Sequence, residues 1–199
     1  MTADVLLHLV ADVVLVEPVD GFVQEALVCG QASRTIIPET GRERGQRRWK
    51  GIAEQTKSVT ILQGTLQSFD PSSPLNSQHT KFLDRVGYQP PSEDTDSGFD
   101  VIWCQWCLGH LNDADLVAFL QRSHSALRDR QKGRSLIVVK ENLCSNGEDG
   151  GARMVFDGQD SSLTRHVLAC NDILELLLIV RRKLSDRTWR GRGCLSWLG

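Results

Sequence analysis

Four short segments dominated by apolar residues constrain the fold of this chain most strongly. They cover residues 12–17, 59–62, 99–103 and 135–140, and most of their side chains are β-branched or aromatic. Strands that are buried on both faces of a parallel sheet have this composition, because neither face meets water. The segments therefore predict the strands of a mostly parallel sheet.

Helical patterns separate these strands. Residues 20–28 place apolar side chains on one side, and residues 113–127 follow Asn112, a good N-cap, with acidic residues in the first turn. We also predict a helix over 163–178 and a short helix at 79–86 inside a long loop. Alternating strands and helices indicate an α/β fold with helices on both faces of the sheet.

Length and charge limit the classes of protein that fit. A chain of 199 residues with a net charge of -2 suits a single domain over 1–199, without a bulk field that would attract nucleic acid or an acidic membrane. No apolar run approaches the roughly 20 residues that span a bilayer, so we expect a soluble intracellular protein with no membrane partner.

Three regions lack periodicity. We interpret 30–57 and 71–98 as surface insertions and 181–199 as a divergent basic tail. The first insertion carries many arginines, so a nucleic-acid patch is one interpretation, but a solvated loop is the commoner explanation for a mixed charge run. We therefore expect no direct nucleic-acid partner.

The six cysteines do not predict a disulfide framework at this length and spacing. Cys104 and Cys107 form a C-x-x-C pair, but a zinc site needs further ligands and no second close pair supplies them. We predict buried free thiols rather than metal or redox chemistry, and no metal site.

Polar residues follow the predicted strands at the edge where open α/β sheets bind ligands. Gln105, Trp106 and His110 follow the third strand, while Glu17 ends the first. Glu17 is either an acceptor for ribose hydroxyls or an exposed strand end, and taken alone the second is commoner. Gln67 similarly allows either an adenine contact or an ordinary turn.

Two carboxylates three residues apart, Asp157 and Asp160, precede the predicted helix over 163–178. Without further context, Asp160, Ser161 or Ser162 is more simply a helix cap than a ligand-binding residue.

Three motifs in order resemble the alpha-N-terminal protein methyltransferases: DVIWCQWCLGHL at 100–111, VVKEN at 138–142 and FDGQDSS at 156–162. The resemblance covers roughly 11–178 and implies a class I, Rossmann-like methyltransferase fold. It also implies transfer of methyl groups from S-adenosylmethionine to the free α-amino group of protein N-termini of Xaa-Pro-Lys type. Such a family member is expected in the cytoplasm, with the nucleus as a further compartment.

The resemblance also implies roles for single residues, and it makes a substrate groove the favoured interpretation of the two carboxylates. Cofactor contacts fall on Glu17, Leu66, Gln67 and Gln105. Substrate contacts fall on Trp106 for the proline, Asn142 for the first residues, Asp157 for the lysine or nearby backbone, and Ser162. Asp160 and His110 are the candidate general bases, since an α-ammonium group must lose its proton before the nitrogen attacks a methyl carbon.

The chain departs from the family pattern at both ends. No strand with a glycine-rich turn precedes residue 12, and the tail after about residue 178 shows no strand alternation. We therefore expect an incomplete fold that lacks its central first strand and glycine-rich loop, with altered C-terminal edge strands. Two alternatives to the enzyme follow: a catalytically inactive remnant that binds a partner, and, more weakly, a small-molecule methyltransferase of the same fold.

Overall fold

The computed structural model describes residues 2–35, 48–91, 97–129, 133–144, 154–165 and the backbone of 193–197. Its helices are α1 (Thr2–Leu6), α2 (Asp20–Ser33), a short 3-10 helix (Leu108–His110) and α3 (Asp113–Ser125). None of the helices in these ranges is long and apolar enough to cross a membrane.

The strands form one main sheet and a separate hairpin. They are β1 (Asp12–Glu17), β2 (Ser58–Gln63), β3 (Lys81–Gly87), β4 (Val101–Gln105), β5 (Leu136–Lys140), β6 (Met154–Asp157), β7 (Ser162–Arg165) and β8 (Gly193–Trp197). The main sheet has the order β3-β2-β1-β8-β4-β5, and β6 pairs with β7. All neighbours in the main sheet are parallel except β2 and β3.

The predicted strands over the four apolar segments are confirmed by β1, β2, β4 and β5. The start of α3 is confirmed as well, because the Asn112 side chain accepts a hydrogen bond from the Asp115 backbone N–H at 2.9 Å. That bond satisfies one of the free N–H groups in the first turn of the helix.

Two predicted helices are wrong over the described residues. The segment proposed as a helix at 79–86 is the antiparallel edge strand β3, since its pairing with β2 outweighs the local helical pattern. The helix proposed over 163–178 begins instead as β7, which pairs with β6, and residues 166–178 lie outside the described part.

A strand from the C-terminal part of the chain lies at the centre of the main sheet. β8 lies between β1 and β4 and runs parallel to both, with Val14 opposite Leu195 and Ile102 also opposite Leu195. The expectation that the tail shows no strand is therefore wrong, because β8 occupies a central position in the sheet. The expected lack of the family's own first strand stays a prediction. A central strand is covered on both faces and needs no alternation of apolar and polar residues. The expected lack of a glycine-rich loop stays a prediction.

Successive residues of β1, β2, β4 and β5 contribute to two buried clusters. One contains Val16, Ile102 and Phe119 and packs α3 against the sheet. The other contains Val13, Leu15, Ala26 and Leu6 and packs α1 and α2. Because side chains alternate across a strand, these clusters lie on opposite faces, and the predicted two-sided arrangement of helices is confirmed.

Part of the region 30–57 belongs to the core rather than the surface. α2 continues to Ser33, and Trp49 and Ile52 are buried in the cluster beneath α2. The Trp49 backbone N–H donates to Ser33 Oγ at 2.7 Å, which joins the two ends of the region. Residues 36–47 of the basic insertion lie outside the described part.

The prediction of buried thiols is confirmed for Cys29, Cys104 and Cys107, which are buried and form no disulfide. Cys144 also forms no disulfide, but it is half-buried. Hydrogen bonding to Cys104, together with burial, raises the pKa of Cys107 well above its usual range. This thiol therefore stays protonated and unreactive, because the thiolate is the nucleophilic form.

Candidate functional site

The carboxyl ends of parallel strands meet at one edge of the main sheet. Glu17 is the last residue of β1, Gln105 is the last residue of β4, and Glu141 directly follows β5. This edge carries the polar residues that the sequence placed at strand ends, as expected for ligand binding in open α/β sheets.

A cavity of about 140 Å³ lies beside this edge, between the 3-10 helix, α3, the end of β5 and β7. It brings together five residues predicted for the substrate and the proton transfer: Trp106, His110, Asn142, Asp160 and Ser162. Apolar side chains of α3, including Leu116 and Leu120, form another part of its wall. The cavity combines an apolar surface with an imidazole, an amide and a carboxylate, a lining typical of small-ligand sites.

Asp160 lies in the exposed turn between β6 and β7. Its Oδ1 accepts a hydrogen bond from the Ser162 backbone N–H at 2.9 Å. Hydrogen bonds from Ser162 lower the pKa of Asp160, with a further contribution from His110. No described helix begins here, so the helix-cap interpretation is wrong and Asp160 is an ionised acceptor at the cavity.

Trp106 has an unusual backbone conformation at the exit of β4, with φ of 53°. Residues other than glycine rarely adopt positive φ, and such strain persists only where surrounding contacts enforce it. The Trp106 N–H donates to the Lys140 carbonyl at 3.0 Å, and the Lys140 ammonium lies 4.4 Å from the centre of the indole ring. With 45% of its surface exposed, Trp106 presents an aromatic wall to the cavity.

Glu17 is buried, with only 2% of its surface exposed, so its interpretation as an exposed strand end is wrong. Its Oε1 accepts from the Val19 N–H at 2.8 Å, while Oε2 is shielded from solvent and has no partner among the described residues. Burial raises the pKa of Glu17 to about 7, although the Val19 hydrogen bond opposes the change. An unpaired buried oxygen at this edge fits an acceptor for ribose hydroxyls.

The loop after β2 is fixed to α3 by one guanidinium group. Arg122 Nη2 donates to the carbonyls of Leu66 at 2.9 Å and Gln67 at 3.1 Å, and its Nε donates to the Phe69 carbonyl at 3.1 Å. Leu66 is buried, whereas the exposed Gln67 side chain donates to the His110 carbonyl at 3.4 Å. The predicted adenine contacts therefore lie on a loop that adjoins the 3-10 helix.

Two other predicted residues lie outside the cavity lining. Gln105 is half-buried and its Oε1 accepts from Trp103 Nε1 at 3.3 Å. Asp157 is exposed at the end of β6, where its Oδ1 accepts from the Gln159 N–H at 2.8 Å. Their roles toward cofactor and substrate stay predictions.

The sequence did not identify two charged residues that shape this cavity. Glu141 accepts at Oε1 from the N–H groups of Cys107 at 2.8 Å and Leu108 at 2.9 Å. Arg165, with 4% of its surface exposed, donates through Nη2 to the Leu111 carbonyl at 2.7 Å. The position of Glu141 next to Asn142 after a strand was a usable signal, but nothing local marks Arg165.

Comparison with known proteins identifies a family. A family model described as AdoMet dependent proline di-methyltransferase matches residues 1–184. The chain belongs to this family. The mixed α/β architecture with its parallel strands is consistent with a Rossmann-like methyltransferase, and the family's cofactor is S-adenosylmethionine.

Curated relatives carry matching names. The alpha N-terminal protein methyltransferase 1 of Schizosaccharomyces pombe is 30% identical over 165 residues, which are 83% of this chain and 49% of that protein. The human N-terminal Xaa-Pro-Lys N-methyltransferase 1 is 34% identical over 102 residues, 49% of this chain and 41% of that protein. An Arabidopsis thaliana alpha N-terminal protein methyltransferase 1 is 46% identical over 67 residues, 34% of this chain and 21% of that protein. The matched regions thus span about half or less of these relatives.

Proposed function

We propose that this protein transfers methyl groups from S-adenosylmethionine to the free α-amino group of protein N-termini of the Xaa-Pro-Lys type. The observation that carries the proposal is the cavity in which Trp106, His110, Asn142 and Asp160 meet beside the sheet edge. An aromatic wall for proline, an amide for the peptide backbone and two proton acceptors are the groups that such a substrate requires. The names of the relatives describe this activity for those proteins.

The side chains in the cavity can activate and orient an amine. An α-ammonium group has a pKa of about 7.7–8.0, so its nitrogen must give up a proton before it can act as a nucleophile, and an acceptor within hydrogen-bond reach can take that proton. Asp160 is ionised and accessible, and His110 lines the same cavity. The remaining contribution is position, because holding the nitrogen in line with the methyl carbon removes an entropic cost of the reaction.

Glu17, Leu66, Gln67 and Gln105 are the residues that we propose hold the cofactor, which supplies the methyl group when bound. Glu17 supports this assignment through its unpaired oxygen at the end of β1. Because Glu17 Oε2 is shielded from solvent, ribose hydroxyls reach it only if neighbouring groups move. The cofactor is therefore expected to bind with local rearrangement near β1.

A peptide assay tests the function directly. The protein is incubated with S-adenosylmethionine and a peptide that begins Ser-Pro-Lys, and the products are identified by mass spectrometry. Methylation of the free peptide and none of its N-acetylated form is expected, since acetylation removes the nucleophilic lone pair. Methylation of both forms would place the reaction on another group.

Calorimetry separates the two remaining alternatives. If titration with S-adenosylmethionine gives no detectable binding at millimolar concentration, the chain is an inactive remnant. If the cofactor binds but peptides are not methylated while small amines are, the small-molecule methyltransferase is favoured. Binding of the cofactor together with methylation of the free peptide supports the proposal over both.

Replacing Trp106 with alanine should mainly weaken peptide binding. The exposed indole offers a flat apolar wall for proline, and loss of one aromatic contact of about 1.4 kcal/mol raises a dissociation constant roughly tenfold. Phe22→Ala is the matched control, because Phe22 is also 45% exposed but lies on α2, outside the cavity lining. The measurement is the KM for the peptide, and equal KM values for the two variants would remove Trp106 from the binding surface.

Cofactor affinity should depend on the protonation of Glu17. The pKa of Glu17 in the free protein is raised to about 7, so the carboxylate that accepts ribose hydroxyls is abundant above pH 7 and scarce below it. The dissociation constant for S-adenosylmethionine should increase as pH falls from 7 toward 5, by up to about tenfold per pH unit. Glu17→Gln should remove this dependence, and calorimetry on both proteins separates it from titration of the cofactor itself.

A further inference from the structure

The 3-10 helix that carries His110 is too short to hold its own position. It spans Leu108–His110, and the Leu111 N–H donates to the Leu108 carbonyl at 3.2 Å across it. Trp106, two residues before the helix begins, has positive φ. A single turn with strained backbone before it depends on outside contacts for a fixed orientation.

A carboxylate holds the beginning of this turn. Glu141 Oε1 accepts from the backbone N–H groups of Cys107 and Leu108, at 2.8 and 2.9 Å. Burial raises the pKa of Glu141, while these two hydrogen bonds and the charges of His110 and Arg165 oppose the change. Glu141 thus makes the contacts of a helix N-cap, although it comes from the end of a neighbouring strand.

A guanidinium group holds the other end. Arg165 donates through Nη1 to the Leu108 carbonyl at 3.3 Å and through Nη2 to the Leu111 carbonyl at 2.7 Å. Its Nε and Nη2 also bind Asp113 Oδ1 at 3.1 and 2.8 Å, at the first residue of α3. The fork geometry of arginine allows these contacts together, and lysine could not reproduce them.

The hairpin packs closely on the same turn. A Cβ atom at Gly109 would lie 3.1 Å from the Leu163 carbonyl oxygen and 3.4 Å from the Ser162 Cβ. Since Ser162 also binds Asp160, movement of the turn relative to the hairpin would change how His110 faces Asp160. The relative position of the two candidate bases, His110 and Asp160, therefore depends on how the hairpin packs against the 3-10 helix.

We propose that Glu141 and Arg165 are positioning residues that clamp the two ends of the 3-10 helix and fix Trp106 and His110 relative to Asp160. This proposal rests on the proposed methyltransferase function. Neither residue exchanges a proton with the substrate in this scheme. Glu141 acts through its acceptor position rather than through its charge.

Two conservative variants distinguish the effect of the position of the Glu141 oxygen from the effect of its charge. Glu141→Gln keeps a carbonyl oxygen at the same reach but removes the charge, whereas Glu141→Asp keeps the charge and withdraws it by one methylene group. The clamp predicts a kcat within about fivefold of wild type for the Gln variant and roughly 100-fold lower for the Asp variant, the scale of a displacement of about 1 Å. Glu54→Ala, an exposed glutamate outside the cavity, serves as the control and should leave kcat unchanged.

The opposite order, with Asp more active than Gln, would overturn the clamp and assign the carboxylate charge a direct role. Equal activity of all three proteins would also overturn it. The binding constant for S-adenosylmethionine should stay within about threefold of wild type in both variants, because Glu17 lies on β1 and Leu66 lies on the loop that Arg122 holds, outside the 3-10 helix.

A readout without catalysis distinguishes failure of the clamp from failure of the proposed function. The ring resonances of His110 in the ligand-free protein, measured by NMR, should shift or broaden in Glu141→Asp and stay near wild type in Glu141→Gln. If wild type methylates no peptide but the resonances behave this way, the function fails while the clamp stands. Unchanged resonances in Glu141→Asp would reject the clamp whatever the activity.

Discussion

Asp160→Asn should lower kcat for the Ser-Pro-Lys peptide by about 100- to 1,000-fold, the usual contribution of a general base. Asparagine keeps the shape and an oxygen that can accept from the Ser162 N–H, so the turn between β6 and β7 should persist. The variant loses the acceptor for the ammonium proton. The peptide KM should change by no more than a few fold, since binding and proton transfer are separate contributions.

Asp70→Asn provides a matched control for this variant. Asp70 Oδ1 accepts from the Ser72 N–H at 2.9 Å, the same two-residue turn geometry as in Asp160 and Ser162, but it lies outside the cavity lining. The kcat of the Asp70→Asn variant should equal that of wild type. If Asp160→Asn retains wild-type kcat, Asp160 is not the base and His110 is the remaining candidate.

The dependence of kcat/KM on pH tests whether Asp160 accepts the ammonium proton. The pKa of Asp160 is lowered by its hydrogen bonds from Ser162, so this group stays ionised throughout the neutral range. If Asp160 accepts the ammonium proton, kcat/KM for the peptide at saturating cofactor should be nearly constant between pH 6 and 8 in wild type, because the enzyme can use the ammonium form. In Asp160→Asn it should instead rise over this range, since the variant needs a substrate whose amine, with a pKa of about 7.7–8.0, has already lost its proton. An equal rise in both proteins would contradict the assignment of Asp160 as the base.

Phe119→Ala should destabilise the fold by about 3–5 kcal/mol, the range measured for large-to-small aromatic changes in cores. The Phe119 ring is fully buried on α3, within the cluster that contains Ile102 and Leu66. Domains of this size have total stabilities of about 5–15 kcal/mol, so this loss removes a large share. Urea unfolding followed by circular dichroism measures it.

Phe82→Ala tests whether the effect comes from burial rather than from loss of a ring. Phe82 is 49% exposed on the edge strand β3, and its removal should cost less than about 1 kcal/mol. Similar unfolding midpoints for the Phe119 and Phe82 variants would contradict the cluster between α3 and the sheet. A large loss of stability in the Phe119 variant alone would support the packing of α3 against the sheet.

Local sequence patterns predicted the elements that local physics controls. The apolar runs of β1, β2, β4 and β5 are short, β-branched and bounded by polar residues, so their strand character follows from the segments themselves. Asn112 identified the start of α3 for the same reason, because a cap acts within three residues of its own position. The polar residues at strand exits located the sheet edge beside the cavity, since parallel strands share one direction.

Patterns failed where a distant partner decides the structure. β3 and β7 have no strong strand pattern, and each is a strand because β2 or β6 offers backbone groups to pair with. Glu17 illustrates the same limit for a side chain: its identity suggested a surface position, but packing buries it. The raised pKa follows from that burial and not from its sequence neighbours.

Residue types and short spacings were enough to recognise the family motifs, four strands and the candidates Trp106, His110, Asn142 and Asp160. They did not reveal that β8 occupies the centre of the sheet or that Glu141 and Arg165 hold the turn of His110. These contacts join residues that are far apart in the chain. Their geometry depends on how the strands are ordered, and no local pattern specifies that order.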